Sequence, residues 1–186
     1  MVKGYQEGPA PIAATLKHYV GYSRPLTGKD RTPAWIPERQ LRQIFLPPFA
    51  AAIDAGAASI MVNSGEVNGI PVHADHHILT DILREDLGFE GMVVTDWEDI
   101  KYLFKRHKVA ANYKDAIEMA IHAGIDMSMV PGDLKFPGLL MELVREGRVS
   151  EARIDESVRR ILSMKYDLGL FRTGGMPPAL ADYPAK

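Results

Sequence analysis

The fold of this chain is decided by the stretch Gly91-Met92-Val93-Val94-Thr95-Asp96-Trp97-Glu98-Asp99. Its apolar run lacks the alternation of a half-exposed strand, which is typical of a strand buried on both faces, as in a parallel sheet. The run ends in Asp96, an aromatic residue and two further acids. Since ligands bind at the carboxyl ends of parallel strands in α/β folds, Asp96 is the first candidate for a catalytic group. The alternative is that Asp96 only caps the following turn.

Apolar runs at residues 12–20, 58–62 and 125–130 predict three further strands. Amphipathic segments between and after the strands predict helices at residues 38–55, 74–87, 113–123 and 136–146, and a last helix capped by Ser150. Pro47-Pro48 is expected to break or kink the first of these helices, and residues 99–112 are expected to form a polar, basic loop or broken helix. Four alternating βα units indicate an α/β fold with a parallel sheet, either half of a TIM-type (β/α)8 barrel or an independent open sheet. We predict that residues 1–171 form the half-barrel and that residues 172–186, rich in Gly, Pro and Ala, form a linker or tail.

Composition limits the classes of function. The 186 residues carry a net charge of −2 and contain no cysteine, which excludes a disulfide framework and a thiolate metal site. Without a basic block or a long apolar run, we expect neither a nucleic-acid partner nor a membrane partner. The N-terminus lacks the features of a signal peptide; a mature secreted form would look the same, so localisation stays open.

Polar residues follow each predicted strand: Lys17-His18, Asn63-Ser64, Asp96-Trp97 and Ser128-Met129. The carboxyl ends of parallel strands meet at one end of a barrel, so we expect these side chains to line a common site. The loop at residues 21–37, with three prolines, Lys29-Asp30-Arg31 and Trp35, is long enough to suggest a functional role.

Several segments of the chain carry a family resemblance. They are residues 13–19 (AATLKHY), 57–64 (AASIMVNS), 68–71 (NGIP), 87–97 (LGFEGMVVTDW) and 123–127 (AGIDM), followed by Arg153-Ile154-Asp155, Arg159-Arg160-Ile161-Leu162 and Leu168-Gly169-Leu170-Phe171. In this order, they resemble the barrel domain of glycoside hydrolase family 3, of the β-glucosidase and exo-β-glucanase type. The resemblance extends from about residue 4 to residue 171. It implies the second half of a barrel and the start of the linker to an α/β sandwich domain.

The resemblance also implies roles for single residues. Asp96 is similar to the family's nucleophile, which forms a covalent glycosyl intermediate in a retaining mechanism. Lys17 and His18 resemble the pair that holds sugar hydroxyls, and Trp97 resembles the aromatic residue at the subsite mouth. Met61, Ser64 and Ser128, at the other strand ends, are further candidates for substrate binding, although the family's tyrosine after the second strand is replaced here by the segment Met61 to Ser64. Positive charge from Lys17 or a protonated His18 would keep Asp96 ionised.

The resemblance indicates an incomplete enzyme. The family's acid/base comes from the sandwich domain, and Glu66 and Glu98 are only weak substitutes. We therefore expect a fragment of a retaining β-glycosidase with little activity alone, acting on a β-linked glucoside or oligosaccharide, without cofactor or metal, and derived from a periplasmic or secreted parent enzyme. The alternative is a non-catalytic half-barrel or self-assembling scaffold. Its exposed sheet edges would pair with an N-terminal barrel half or with a second copy in a homodimer.

Other polar residues are assigned structural roles. His73, His76 and His77 fit no zinc pattern, so we expect them to be solvated near a helix N-terminus. Asp126 is expected to make structural hydrogen bonds inside the barrel. The pair Arg159-Arg160 is expected on a solvated helix face.

Overall fold

The sheet is built from short parallel strands in a computed structural model that describes residues 1–7 and 11–171. The strands are β1 Thr15–Tyr19, β2 Ser59–Val62, β3 Glu66–Val67, β4 Ile70–Pro71 and β5 Met92–Val94. Parallel β1, β2 and β5 lie in that order, with Leu16 opposite Ile60 and Ile60 opposite Val93. The strands β3 and β4 pair antiparallel in a separate two-stranded sheet. The predicted α/β fold with a parallel sheet is confirmed. The linker or tail predicted at residues 172–186 lies outside the described residues.

The predicted fourth strand at residues 125–130 is wrong as a regular strand. The segment lies parallel to β5, but a single bridge, Val94 to Met127, joins the two. The amide of Met127 donates to Val93 O (3.1 Å), and the amide of Thr95 donates to Met127 O (3.0 Å). Two residues after Met127, the amide of Met129 donates to the side-chain hydroxyl of Thr95 at 2.8 Å. A side chain replaces the backbone partner, and the regular ladder ends there.

The predicted helices form in the predicted order, preceded by a short helix at Val2–Gln6 that was not predicted, and two further differences concern their interruptions. They are α1 Val2–Gln6, α2 Glu38–Gln40, α3 Leu46–Asp54, α4 Asp99–Lys105, α5 Tyr113–Ala123, α6 Lys135–Arg145 and α7 Glu151–Asp167, with π-helical turns at Leu41–Phe45 and His77–Asp86 and a 3₁₀ turn at Val72–Ala74. First, residues 99–105, expected as a polar loop or broken helix, form α4. Second, Pro47 and Pro48 do not break the helical path. They occupy the first positions of α3, where a missing N–H is tolerated.

Helix ends and buried faces explain why these segments fold as they do. The side chain of Asn112 accepts from Asp115 N at the start of α5, and Ser150, the predicted cap, accepts from Arg153 N at the start of α7. The apolar side of the His77–Asp86 helix is buried, as its 3.6-residue periodicity predicts, through Ile78, Leu79, Ile82 and Leu83. No helix in the described ranges is both long and apolar enough to cross a membrane.

A buried carboxylate ties the strands to the last helix. The Asp126 side chain is 0% exposed, and its oxygens accept from Val93 N, Ser157 Oγ, Arg84 Nη2 and Arg160 Nη1 at 2.8–2.9 Å. The predicted structural role of Asp126 is therefore confirmed. The prediction of a solvated Arg160 is wrong, because its guanidinium is the partner of Asp126.

Candidate active site

The ends of β1, β2 and β5 converge on the Asp96 carboxylate. Ser64, two residues past β2, donates from Oγ to Asp96 Oδ2 at 2.9 Å. His18, near the end of β1, places Nε2 3.6 Å from the same oxygen, and its ring lies 4.4 Å from that of Tyr22. The parallel register brings together residues from three separate βα units, as expected for the carboxyl end of such a sheet.

The two oxygens of Asp96 have different surroundings. Oδ1 accepts the backbone N–H of Trp97 at 2.5 Å, while Oδ2 accepts from Ser64 and faces the Arg31 guanidinium at 3.5 Å. Burial opposes ionisation of Asp96, but the two hydrogen bonds and the charge of Arg31 outweigh it and lower the pKa of this carboxyl. The side chain is still 15% exposed, so the carboxylate is ionised and accessible.

The cation beside Asp96 is Arg31, where Lys17 or a protonated His18 was expected. Burial lowers the pKa of His18, against the opposing charge of Asp96, which favours a neutral ring. Lys17 is exposed, and no hydrogen bond or ion pair in residues 1–7 and 11–171 joins it to Asp96. Arg31 lies in the long loop at residues 21–37, and Arg106 donates to its carbonyl oxygen. The sequence signals for this role were the unusual length of that loop, its charged run Lys29-Asp30-Arg31 and Trp35.

Two buried groups beneath Asp96 were missed by sequence reasoning. The prediction of a solvated His73 is wrong, because its side chain is 3% exposed and its Nε2 lies 3.4 Å from Asp96 N. Asp99, the first residue of α4, is 2% exposed and lies 3.7 Å from both His73 Nε2 and Arg31 Nη1. Burial lowers the pKa of His73 to about 3 and raises that of Asp99 to about 7. His76 and His77 are exposed as expected and contact Asp81.

The remaining predicted residues are distributed around the site. Trp97 is 53% exposed and can present its indole ring to a ligand. Met61 is half-buried opposite Val94, and Ser128 is half-buried on the segment beside β5. The structure thus brings His18 and Ser64 to Asp96, whereas within residues 1–7 and 11–171 no hydrogen bond or ion pair joins Met61 or Ser128 to that carboxylate.

The two weak candidates for an acid are already engaged. Glu66 Oε1 lies 2.5 Å from His107 Nδ1, and Glu98 Oε1 accepts from Lys101 Nζ at 2.7 Å. A general acid must present a free proton to the leaving group, which neither geometry favours. Within the described part of the chain, no group of three His, Asp or Glu side chains could hold a metal ion.

Comparison with known proteins agrees with the geometry of the site. The family profile described as Glycosyl hydrolase family 3 N terminal domain matches residues 1–164. The lysosomal beta glucosidase of Dictyostelium discoideum is 57% identical over 91% of this chain and 22% of its own length. The periplasmic beta-glucosidase of Salmonella typhimurium is 37% identical over 92% of this chain and 22% of its own.

Solved structures resemble the chain over similar ranges. The beta-glucosidase from Listeria innocua in complex with glucose has a TM-score of 0.85 at 33% identity, over 92% of this chain and 24% of that one. The chain therefore spans about a quarter or less of the length of these proteins. The family resemblance drawn from the sequence motifs is confirmed.

Proposed function

This chain belongs to glycosyl hydrolase family 3, and on that basis we propose that it supplies the nucleophile and part of the sugar-binding surface of a retaining β-glycosidase. The observation that carries the proposal is the Asp96 carboxylate at the end of β5. It is ionised, partly exposed, and held by Trp97 N and Ser64 Oγ. These contacts fix both the orientation and the charge that a nucleophile needs.

The proposed reaction uses the Asp96 oxygen that His18, Ser64 and Arg31 face. Oδ2 attacks the anomeric carbon, the bond to the leaving oxygen breaks, and a separate acid protonates that oxygen. Water then cleaves the glycosyl ester, and the sugar is released with its configuration retained. Arg31 and the two hydrogen bonds stabilise the carboxylate before attack and again when it leaves.

The substrate in this proposal is a β-linked glucoside or oligosaccharide. The exposed indole of Trp97 suits the apolar face of a pyranose ring. His18 lies at the same opening, and the exposed ammonium of Lys17 is available to donate to sugar hydroxyls. The Listeria innocua protein was solved with glucose, which supports a glucoside.

The proposal treats residues 1–171 as half of the family's barrel and residues 172–186 as the linker or tail after it. The acid/base would come from elsewhere, since Glu66 and Glu98 are engaged by His107 and Lys101. The chain alone should have little or no activity, because a retaining mechanism needs a second carboxyl group about 5–5.5 Å from the first. Its partner would be an N-terminal barrel half.

The test is an aryl β-glucoside assay of the chain alone, then with the N-terminal half and sandwich domain of a family member added. We expect turnover only in the complemented mixture, and its loss in Asp96→Asn. An activated fluoroglucoside should label Asp96, as detected by peptide mass spectrometry. Turnover by the chain alone that Asp96→Asn abolishes would contradict the expected inactivity, and label on another residue would contradict the role of Asp96.

A second candidate is a non-catalytic half-barrel that self-assembles as a homodimer. It is favoured by the engagement of Glu66 and Glu98, which leaves Asp96 without an evident acid partner. A molar-mass measurement in solution decides it. A monomer at all concentrations excludes the homodimer, and a failure of the complemented mixture to turn over substrate would favour the scaffold.

A further inference from the structure

Asp99 is a buried carboxyl group that the proposed mechanism leaves unused. Its side chain is 2% exposed, and neither oxygen has a hydrogen-bond partner among the residues that the structure describes. An ionised carboxylate in such a place is costly unless it is paired and hydrogen-bonded. The state of this group therefore depends on what faces each oxygen.

Different groups face the two oxygens. Oδ1 lies 3.7 Å from Nη1 of Arg31, which is a donor in every state. Oδ2 lies 3.7 Å from Nε2 of His73. Asp96, Arg106 and Ser64 also act on this carboxyl, and His107 acts on His73. Movements of about 1 Å or less would bring each facing nitrogen to hydrogen-bond length.

The protonation state of His73 follows from its contact with the backbone N–H of Asp96. The N–H of Asp96 points at Nε2 of His73 across 3.4 Å, so this nitrogen accepts and carries no proton. The proton of the neutral ring is then on Nδ1. Burial, which lowers the pKa of His73 to about 3, supports the neutral form. The amide contact is long, so the single lone pair of Nε2 is only weakly engaged and can be shared with a second, stronger donor.

We propose that Asp99 is a positioning residue that works in its protonated form, donating its hydroxyl to Nε2 of His73 and accepting from Arg31. The proposal rests on the assignment of Asp96 as the nucleophile. In this arrangement the neutral Asp99 carboxyl orients Arg31. The positive charge of the guanidinium then acts on the Asp96 carboxylate without competition from a second negative charge at Asp99. An ionised Asp99 would turn a lone pair toward Nε2 and compete for Arg31.

The electrostatics of the cluster agree with this assignment. Burial raises the pKa of Asp99 to about 7, and the charge of Arg31 offsets only part of that rise. Asp96, three residues earlier, has its pKa lowered. Two nearby carboxyls with pKa values pushed apart in this way commonly take different roles, one ionised and one neutral.

The test is a carbon-13 carboxyl NMR titration of the 186-residue chain labelled at aspartate. We expect the Asp99 signal to be that of a protonated acid at pH 5.5, to titrate near neutral pH, and to shift the Asp96 signal as it does so. Asp99→Asn mimics the protonated acid, because its amide can donate to His73 and its oxygen can accept from Arg31. This variant should keep the low pKa of Asp96 and lose the shift near neutral pH.

Two further variants complete the experiment. Asp99→Ala removes one of the three carboxyl groups that contact Arg31, so that Arg31 is held less firmly beside Asp96. The pKa of Asp96 should therefore rise, and its acid dissociation constant should fall by about threefold or more. Glu98→Gln removes a neighbouring charge that is paired with Lys101, and the Asp99 titration should remain. An Asp99 signal already ionised at pH 5, or an Asp96 titration identical in the Ala, Asn and unmodified chains, would overturn the proposal. Neither outcome depends on glycosidase activity, so the role of Asp96 as nucleophile is tested separately by labelling.

Discussion

Replacing Asp126 by asparagine should destabilise the chain strongly. The Asp126 side chain is 0% exposed, and each oxygen is shared by strong donors: Ser157 and Arg160 on Oδ1, Val93 N and Arg84 on Oδ2. Whichever way the new amide turns, its NH₂ faces donors, and Arg84, Arg153 and Arg160 lose the carboxylate charge that all three contact. Removing one partner of a buried ion pair costs about 3–5 kcal/mol.

Urea denaturation followed by circular dichroism measures this loss. For a chain of this size the predicted loss corresponds to a fall of roughly 10 °C in Tm. The matched control is Glu38→Gln, since Glu38 pairs with Arg42 at 2.7 Å on the surface, where such pairs contribute about 0.3–0.5 kcal/mol. A loss below about 1 kcal/mol in Asp126→Asn, or equal losses in the two variants, would refute the reasoning that Asp126 compensates buried cations.

Three further predictions concern the site and its supporting strand. A Cβ at Gly91 would clash with the backbone oxygen of Ala58, the residue before β2, so Gly91→Ala should cost about 1–3 kcal/mol in urea denaturation. By contrast, Gly138→Ala, in open space on α6, should not destabilise the chain. Ser64→Ala removes a hydrogen bond from Asp96, and NMR titration should show a higher pKa for that carboxyl. Because the folded pKa of Asp99 is raised, its contribution to stability is present below pH 4 and lost as pH rises to about 7. The stability of Asp99→Asn relative to the unmodified chain should therefore increase by a few kcal/mol from pH 4 to pH 7, and a gap independent of pH would contradict the raised pKa.

Much of the fold could be predicted because its signals are local. Periodicity placed β1, β2, β5 and the helix faces, and Ser150 was recognisable as a cap before an apolar helix. The errors came from tertiary contacts. The fourth strand was lost because the Thr95 hydroxyl takes the place of a backbone partner. The polar segment after Asp99 became helical because Ile100 and Leu103 are buried, a weak signal in seven residues.

The same distinction explains which parts of the candidate site were found. Asp96, His18 and Ser64 lie at strand ends, so the strand pattern that predicts the sheet also places them together. The cation beside Asp96 is instead Arg31 in a loop, and the acceptor of the Asp96 backbone N–H is His73 in a 3₁₀ turn; both positions depend on contacts far apart in sequence. Sequence pattern thus locates the reacting oxygen and its Ser64 partner, but not the cation that helps to lower its pKa. It follows that substitutions in these two segments should change the pH dependence of the site while leaving the sheet that carries Asp96 intact.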